Sequence, residues 1–241
     1  MKKGLMEEII VIEWEMMQKV KNIGGRSFCQ EDPKTFEIMR KSQYVTWPND
    51  VLESYLDDLK TSKQTQRNLL MEKYARMMAS SHPREYEEFK DILPSISSET
   101  VAQIEKIVTA HVIWKKSVEQ EYPKLSDHGR PLTSDQDSPS VTSFETYMRG
   151  ELQSYSANTV AAYCRYIEKC LQTGRNLAKE NLLNMMQSYG FQSLEEAEAV
   201  LNEHTRSAGP TGGADKHIIA SGTTSGTDAE VGGKTKADTL E

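Results

Sequence analysis

Apolar residues recur at three- and four-residue spacing along most of the chain, and no segment alternates apolar and polar residues convincingly. Such spacing puts the apolar side chains on one face of an α-helix. The first of these stripes contains Leu5, Ile9, Ile12, Met16 and Val20. The Asn and Gly residues at 22–25 favour a helix end there, because both tolerate the left-handed backbone of a C-cap. The sequence therefore predicts an all-α fold, a compact bundle of about nine helices.

Prolines and capping residues mark the other helix boundaries. Asp32 and Pro33 predict the start of a second helix, and Trp47–Pro48 predicts its end. Residues 124–141 are rich in Ser, Asp and Pro and predict a long polar loop, of the kind that often acts as a lid. Two capping boxes are predicted further on, at Thr142 with Glu145 and at Ser193 with Glu196.

One short segment of the chain is present twice. Residues 64–69 read Gln-Thr-Gln-Arg-Asn-Leu, and residues 172–177 read Gln-Thr-Gly-Arg-Asn-Leu. At the same offset of 108 positions, residues 36–80 and 144–188 share 12 identities. Internal similarity of this kind predicts a fold assembled from two related units. We therefore expect two pseudo-symmetric repeats, each a helical half of the molecule.

The expected domain organisation follows from this repeat. The halves are residues 4–95 and 97–203, and they are expected to share one core, since neither carries enough apolar surface to fold comfortably alone. Residues 1–203 then form a single helical domain. From residue 204 to residue 241 the chain is rich in Gly, Thr, Ser, Ala and Asp, which predicts a disordered tail.

The charge balance and the cysteines narrow the functional classes. The formal net charge is −7, so a dedicated nucleic-acid partner is not expected, because such proteins usually carry a basic footprint. No run of about 18 apolar residues exists, so no membrane span is expected. The three cysteines, Cys29, Cys164 and Cys170, fit neither a disulfide framework nor a zinc knuckle. A reduced, cytoplasmic compartment is the simplest interpretation.

No recognised cofactor or metal motif is present. The chain lacks the glycine-rich dinucleotide and phosphate-binding loops and the His-Glu-x-x-His zinc motif, so no metal site is predicted and any cofactor stays unknown. His111 lies alone on a helix stripe, where a satisfied core histidine is the ordinary interpretation.

Several polar residues are candidates for a binding site. Arg26 follows a glycine turn that could form an anion-binding nest. Arg40, with Gln43 nearby, and Arg149 lie on matched helices, and two converging arginines suit a carboxylate or phosphate. The alternative for each is a bridge to a glutamate of the same chain. The duplicated Arg67 and Arg175 are further ligand-binding candidates, again with structural ion pairs as the alternative.

Three residues are candidates for chemistry. Cys29 would be a nucleophile if a nearby cation lowered its pKa, and an inert buried thiol otherwise. Glu37 and Glu145 are matched in the repeat and could serve in acid–base catalysis, or only in ion pairs. Whether the protein is an enzyme at all is left open by these residues.

Four strings resemble one family: Glu13-Trp14-Glu15-Met16, Asn22-x-Gly24-Gly25-Arg26-x-x-Cys29-Gln30, Met39-Arg40-x-Ser42-Gln43 and Phe144-Glu145-Thr146-Tyr147-x-Arg149-Gly150-Glu151-Leu152. The chain resembles an uncharacterised bacterial, all-helical domain-of-unknown-function family, and the similarity covers residues 1 to about 203. No activity is established for that family, so the resemblance implies no catalytic role.

Two functions are consistent with these observations. The first is a cytoplasmic protein that binds or transforms an anionic small molecule in a cleft between the two halves. The second is a non-catalytic helical module that binds a protein partner. A cleft on which the arginines converge would favour the first, and arginines fully occupied by carboxylates without a cavity would favour the second.

Overall fold

The computed structural model describes residues 1–21, 26, 30–127 and 129–207, the last four of them by backbone alone. These residues form eleven α-helices: α1 (Lys2–Met17), α2 (Pro33–Val45), α3 (Asn49–Gln64), α4 (Leu69–Ser81), α5 (Pro83–Phe89), α6 (Ser98–Glu121), α7 (Pro123–Ser126), α8 (Phe144–Leu152), α9 (Ala157–Gln172), α10 (Leu177–Ser188) and α11 (Leu194–Ser207). No β-strand occurs within these ranges. The all-α prediction is confirmed, and the count exceeds nine partly because α7 is a single turn inside the predicted loop.

Most helices start where the sequence predicts, because a polar side chain caps them. The Oδ1 of Asp32 accepts from the backbone N–H of Thr35 at 2.9 Å. Asn68 and Asn176 cap α4 and α10 in the same way, at 3.0 and 2.9 Å. Each cap satisfies one of the backbone N–H groups that a helix N-terminus leaves free.

The end of α1 differs from the prediction. The helix stops at Met17, although Val20 is buried as the apolar stripe suggested. The side chain of Gln30, itself buried, donates hydrogen bonds to the carbonyl oxygens of Met17 and Val20 at 2.8 and 3.0 Å. Satisfying these carbonyls from outside removes the need for a further helical turn. The predicted glycine stop at 24–25 lies outside the described residues.

The cap of α8 is also one residue away from the prediction. Ser143, not Thr142, accepts from the N–H of Thr146 at 3.1 Å. Glu145 does not close a capping box; it accepts from the N–H of Ser134 at 2.8 Å, within the loop that precedes α8. That loop also contains a short 3-10 turn at Ser134–Gln136. The loop is therefore tied to the helix it precedes by side chains of both.

The structure describes only residues 204–207 of the predicted tail. The last helix, α11, extends to Ser207 and so includes the first four residues of the expected tail. Residues 208–241 lie outside the described residues.

The two halves exchange partners across the core. Helix α4 packs against α8 of the other half, and α10 packs against α2, while α3 and α9 pack against each other. At Gly150 the α4–α8 approach is so close that a Cβ would lie 2.9 Å from the carbonyl oxygen of Lys73 and 2.8 Å from Cγ of Met77. The main hydrophobic cluster accordingly contains side chains from both halves.

The two segments of similar sequence, residues 64–69 and 172–177, have the same local geometry. Arg67 makes a bidentate ion pair with Glu72, at 2.7 Å for both bonds, and Arg175 does the same with Glu180, at 2.9 and 2.6 Å. The residue before the arginine has positive φ in both copies, +56° at Gln66 and +67° at Gly174. The alternative given for these two arginines, a structural ion pair, therefore describes their contacts.

Candidate functional site

A cavity of about 310 Å³ lies between the halves. Its walls come from α2 and α10 on one side and α4 and α8 on the other, with α6 completing the wall. Several lining residues stand at matched positions of the two halves, at the offset of 108: Phe36 with Phe144, Met39 with Tyr147, Arg40 with Met148, Gln43 with Glu151, Leu70 with Ala178 and Lys73 with Asn181. The volume is at the lower end of the range for small-molecule sites.

A buried cluster of four charges lies at the inner wall, and three of them, Arg40, Lys73 and Glu151, line the cavity. Arg40 donates to Glu13 and to Glu151, the latter at 3.2 Å, and Lys73 donates to Glu151 at 2.5 Å. No side chain of the four is more than 10 % exposed. Two cations therefore face two carboxylates, and this buried charge cluster is close to neutral.

The charges in the cluster shift the pKa values of Arg40 and Glu151. Burial alone would lower the pKa of Arg40, but the attraction of Glu13 and Glu151 raises it well above its ordinary value. Burial would raise the pKa of Glu151, but Arg40 and Lys73 hold it well below its usual range. Tyrosine hydroxyls complete the cluster: Tyr155 donates to Glu151 at 2.9 Å, and burial raises its own pKa well above the ordinary value.

His111 lies on the same inner wall and is uncharged. Its Nε2 is 2.8 Å from the hydroxyl of Tyr163, and both side chains are buried. Burial lowers the pKa of His111 to about 3, so the imidazole is neutral at physiological pH. The expectation of a satisfied core histidine describes this contact, although the residue also borders the cavity.

Two further cations lie where the cavity wall is only half-buried. We call Lys115 and Arg130 the rim cations. The guanidinium of Arg130 donates to the carbonyl of Thr142 at 2.9 Å and stacks on Tyr147, with 4.8 Å between its Cζ and the ring centroid. The Nζ of Lys73 lies 3.3 Å from the centroid of that ring as well. Tyr147 thus contacts one cation of the buried cluster and one cation of the rim.

The rim cations differ in how they are neutralised. Lys115 is 3.3 Å from Glu119 on its own helix. Within the described residues Arg130 has no carboxylate partner. Nζ of Lys115 lies 3.8 Å from the point that a Cβ on Gly129 would occupy, so it is next to the chain segment that carries Arg130.

Of the residues predicted from sequence, Arg40 and Gln43 border the cavity. Arg40 points its hydrogen bonds into the protein, and Gln43 accepts one of them at 3.2 Å. The amide nitrogen of Gln43 donates to Glu151 at 3.4 Å. Both side chains therefore form part of the cavity wall, but their polar atoms are directed at protein partners.

The other predicted residues lie away from the cavity. Arg149 makes a bidentate pair with Glu105, at 2.7 and 2.9 Å, and bonds Glu145 at 2.6 Å. Glu145 is held ionised: burial would raise its pKa, but the bonds from Arg149 and Ser134 lower it. Glu37 is exposed on α2.

Four remaining candidates are accounted for as follows. Arg26 donates to the side chain of Gln18 at 2.6 Å and to the carbonyl of Gln30 at 3.2 Å. Arg67 and Arg175 hold the glutamates described above. Cys29 lies outside the described residues, so its candidate role as a nucleophile stays a prediction.

Sequence reasoning missed Lys73, Glu151 and Arg130 as wall residues. Glu151 and Lys73 are 78 positions apart, and no local spacing signals their contact. For Arg130 a signal existed, because Gly129–Arg130 resembles Gly25–Arg26 in the other half. In the described part of the chain, no cluster of three His, Cys, Asp or Glu side chains could hold a metal ion.

The comparisons with known proteins assign a family and little else. The model of the family described as "Protein of unknown function (DUF4125)" matches residues 3–199. This is most of the chain, and the protein belongs to that family. No curated protein matches the chain, and no solved structure matches it. Among the described residues, no helix is both long and apolar enough to cross a membrane.

Proposed function

We propose that this protein binds an anionic small molecule with an apolar body in the cavity between its halves. The observation that carries the proposal is the cavity itself, about 310 Å³ in volume, walled by aromatic and methionine side chains of both halves. Its lining includes four cationic side chains and two carboxylates, Asp32 and Glu151. A mostly apolar pocket with a few convergent polar groups is the usual form of a ligand site.

The ionisation states support binding more than proton transfer. His111 is neutral, Glu151 is ionised and Tyr155 is protonated across the physiological range, by the pKa shifts given above. A general acid or base works best with a pKa near the operating pH. None of these three groups meets that condition, so a reaction that depends on them is not part of the proposal.

The test is a ligand screen with a variant that fills the cavity. Ala178→Leu places on α10 the residue found at the matched position 70 on α4, and its side chain would occupy cavity volume. Ala102→Leu, on an exposed position of α6, is the matched control. We expect thermal-shift screening against organic acids to find compounds that raise the Tm of the natural protein and of Ala102→Leu, but not the Tm of Ala178→Leu.

Two results would overturn the proposal. One is a screen in which no acid raises the Tm. The other is a ligand whose effect survives both Ala178→Leu and a second filling variant, Leu182→Phe, which guards against a folding defect in the first.

The alternative is a non-catalytic helical module that binds a protein partner. One observation favours it: Arg40, Arg149, Arg67 and Arg175 are all occupied by glutamates of their own chain. The cavity is the observation that weighs against it. Pull-down with Arg149→Ala and Ala178→Leu proteins would separate the two, since a surface module loses nothing when the cavity is filled.

The proposal extends to origin and compartment. We propose that the halves descend from a duplicated unit, and the matched bonds of Arg67 and Arg175 and the exchange of α2 and α8 support this. A cytoplasmic location is also proposed, and the free thiols of Cys164 and Cys170 are consistent with it. No nucleic-acid or membrane partner is part of the proposal.

A further inference from the structure

The charged groups of the inner wall are already paired within the protein. Arg40 and Lys73 both donate to Glu151, which also accepts from Tyr155 and Gln43. Burying a ligand charge beside this cluster would force a desolvated ion to compete with existing pairs, which costs more than it returns. The inner part of the cavity therefore suits apolar ligand surface.

The rim differs from the inner wall because one of its cations is not paired with a carboxylate. Arg130 has one carbonyl and one aromatic ring as partners, and within the described residues no carboxylate neutralises it. A guanidinium in this state can still present a planar pair of donors to an anion. Lys115 borders the same segment at Gly129 and shares its charge with Glu119.

We infer that Arg130 and Lys115 form the anion subsite of the cavity, and that the ligand is a monocarboxylic acid with an apolar body. The carboxylate lies at the rim on Arg130 and Lys115, and the body extends inward between Phe36 and Met148. Arg130, which has no carboxylate partner in the described part of the chain, balances one negative charge, whereas a phosphate monoester carries about −1.5 to −2 at neutral pH. This inference rests on the proposed function and names the ligand class of the same site.

The test compares acids with their amides. A series of phenylalkanoic acids of graded length, from phenylacetate to 5-phenylpentanoate, is titrated beside the corresponding amides and phenyl phosphate. We expect at least one acid to bind about tenfold or more tightly than its amide, because a charge-assisted bond replaces a neutral one. Arg130→Gln is expected to remove this preference, and Lys115→Gln to reduce it; Arg165→Gln, exposed on α9, is the control.

The outcomes separate this inference from the proposed function. Acids and amides that bind equally, or an acid preference that survives Arg130→Gln, would overturn the subsite while cavity binding stands. Tighter binding of phenyl phosphate than of every acid would overturn the monocarboxylate assignment alone. Failure of all acids and amides to bind would overturn the inference, and the broader screen described above would then decide whether the cavity binds any ligand.

Discussion

The two halves hold the matched loops before α4 and α10 in the same way, but the buried side chains behind these loops differ in charge. Asn68 donates to the carbonyl of Met16 in the first half, and Asn176 donates to the carbonyl of Trp114 in the second. Three residues before each carbonyl, a buried polar side chain meets a buried tyrosine that is matched in the repeat: Glu13 meets Tyr55 at 2.7 Å, and His111 meets Tyr163 at 2.8 Å.

The difference lies in what else each polar residue contacts. Glu13 accepts hydrogen bonds from Arg40 and belongs to the buried charge cluster. At the position matched to Arg40 stands Met148, so the neutral His111 of the second half has no corresponding cation. The two loops have the same bonds because those bonds are local, whereas the interior differs: Glu13 has a cation beside it and His111 has none.

The largest expected effect comes from making the surroundings of Glu13 resemble those of His111. Arg40→Met removes the cation beside Glu13 and one of the two cations beside Glu151, and it leaves the buried carboxylate of Glu13 without a counter-charge. Breaking a buried pair in this way typically costs about 3–5 kcal/mol. We expect a loss of that size in the free energy of unfolding, measured by urea denaturation.

A control and a rescue sharpen this prediction. Arg149→Met removes an arginine with two carboxylate partners whose side chain is 27 % exposed, and it should cost no more than about 1 kcal/mol. Adding Glu13→Gln to Arg40→Met removes one stranded charge and should recover part of the loss. Equal effects of Arg40→Met and Arg149→Met would contradict the distinction between the buried cluster and the half-exposed pair.

The contrast also explains what the sequence could predict. Helix starts at Asp32, Asn68 and Asn176 follow from caps and apolar spacing, which are local. The contacts of Arg40 with Glu151, 111 positions away, depend on which helices pack together, and the exchange of α2 and α8 between the halves has no local signature. The cavity arises from that exchange, which is why the wall residues were harder to predict than the helices.

His111 should make the stability of the protein sensitive to mild acid. The ordinary pKa of histidine is 6.5 and that of His111 is lowered to about 3, so below pH 6.5 the unfolded chain takes up a proton that the folded chain refuses. The free energy of unfolding should therefore decrease as the pH is lowered below 6.5, by at most about 1.4 kcal/mol per pH unit. His111→Gln, which can keep a bond to Tyr163, should flatten the decline between pH 6.5 and 5.

The pH range from 6.5 to 5 separates the contribution of His111 to stability from that of Glu151 in the charge cluster. The pKa of Glu151 is held below its ordinary 4.5, so its contribution is present above that value and is lost only at lower pH. Identical pH slopes for the natural protein and His111→Gln, from urea titrations at several pH values, would show that His111 titrates normally.

A smaller effect is expected where the helices of the two halves meet. Gly150 on α8 is matched to Ser42 on α2. Gly150→Ala places a Cβ 2.9 Å from a backbone oxygen, and the overpacking should exceed the roughly 1 kcal/mol gained in helix propensity. We expect a net loss of about 1–2 kcal/mol. Ser42→Ala should be neutral or slightly stabilising, because the buried Ser42 hydroxyl has no hydrogen-bond partner in the described part of the chain.

The smallest effect should appear in the repeated loop itself. Gln66 and Gly174 occupy matched positions with φ of +56° and +67°, a conformation that costs a side-chain-bearing residue about 1 kcal/mol. Gln66→Gly should therefore stabilise the protein by up to about 1 kcal/mol, and Gly174→Gln should destabilise it by a similar amount. Because Arg67 and Arg175 hold the two loops in the same way, the two changes should be opposite in sign and close in size when measured by urea denaturation. Unequal magnitudes would mean that the loops share their backbone shape but differ in how firmly the surrounding helices impose it.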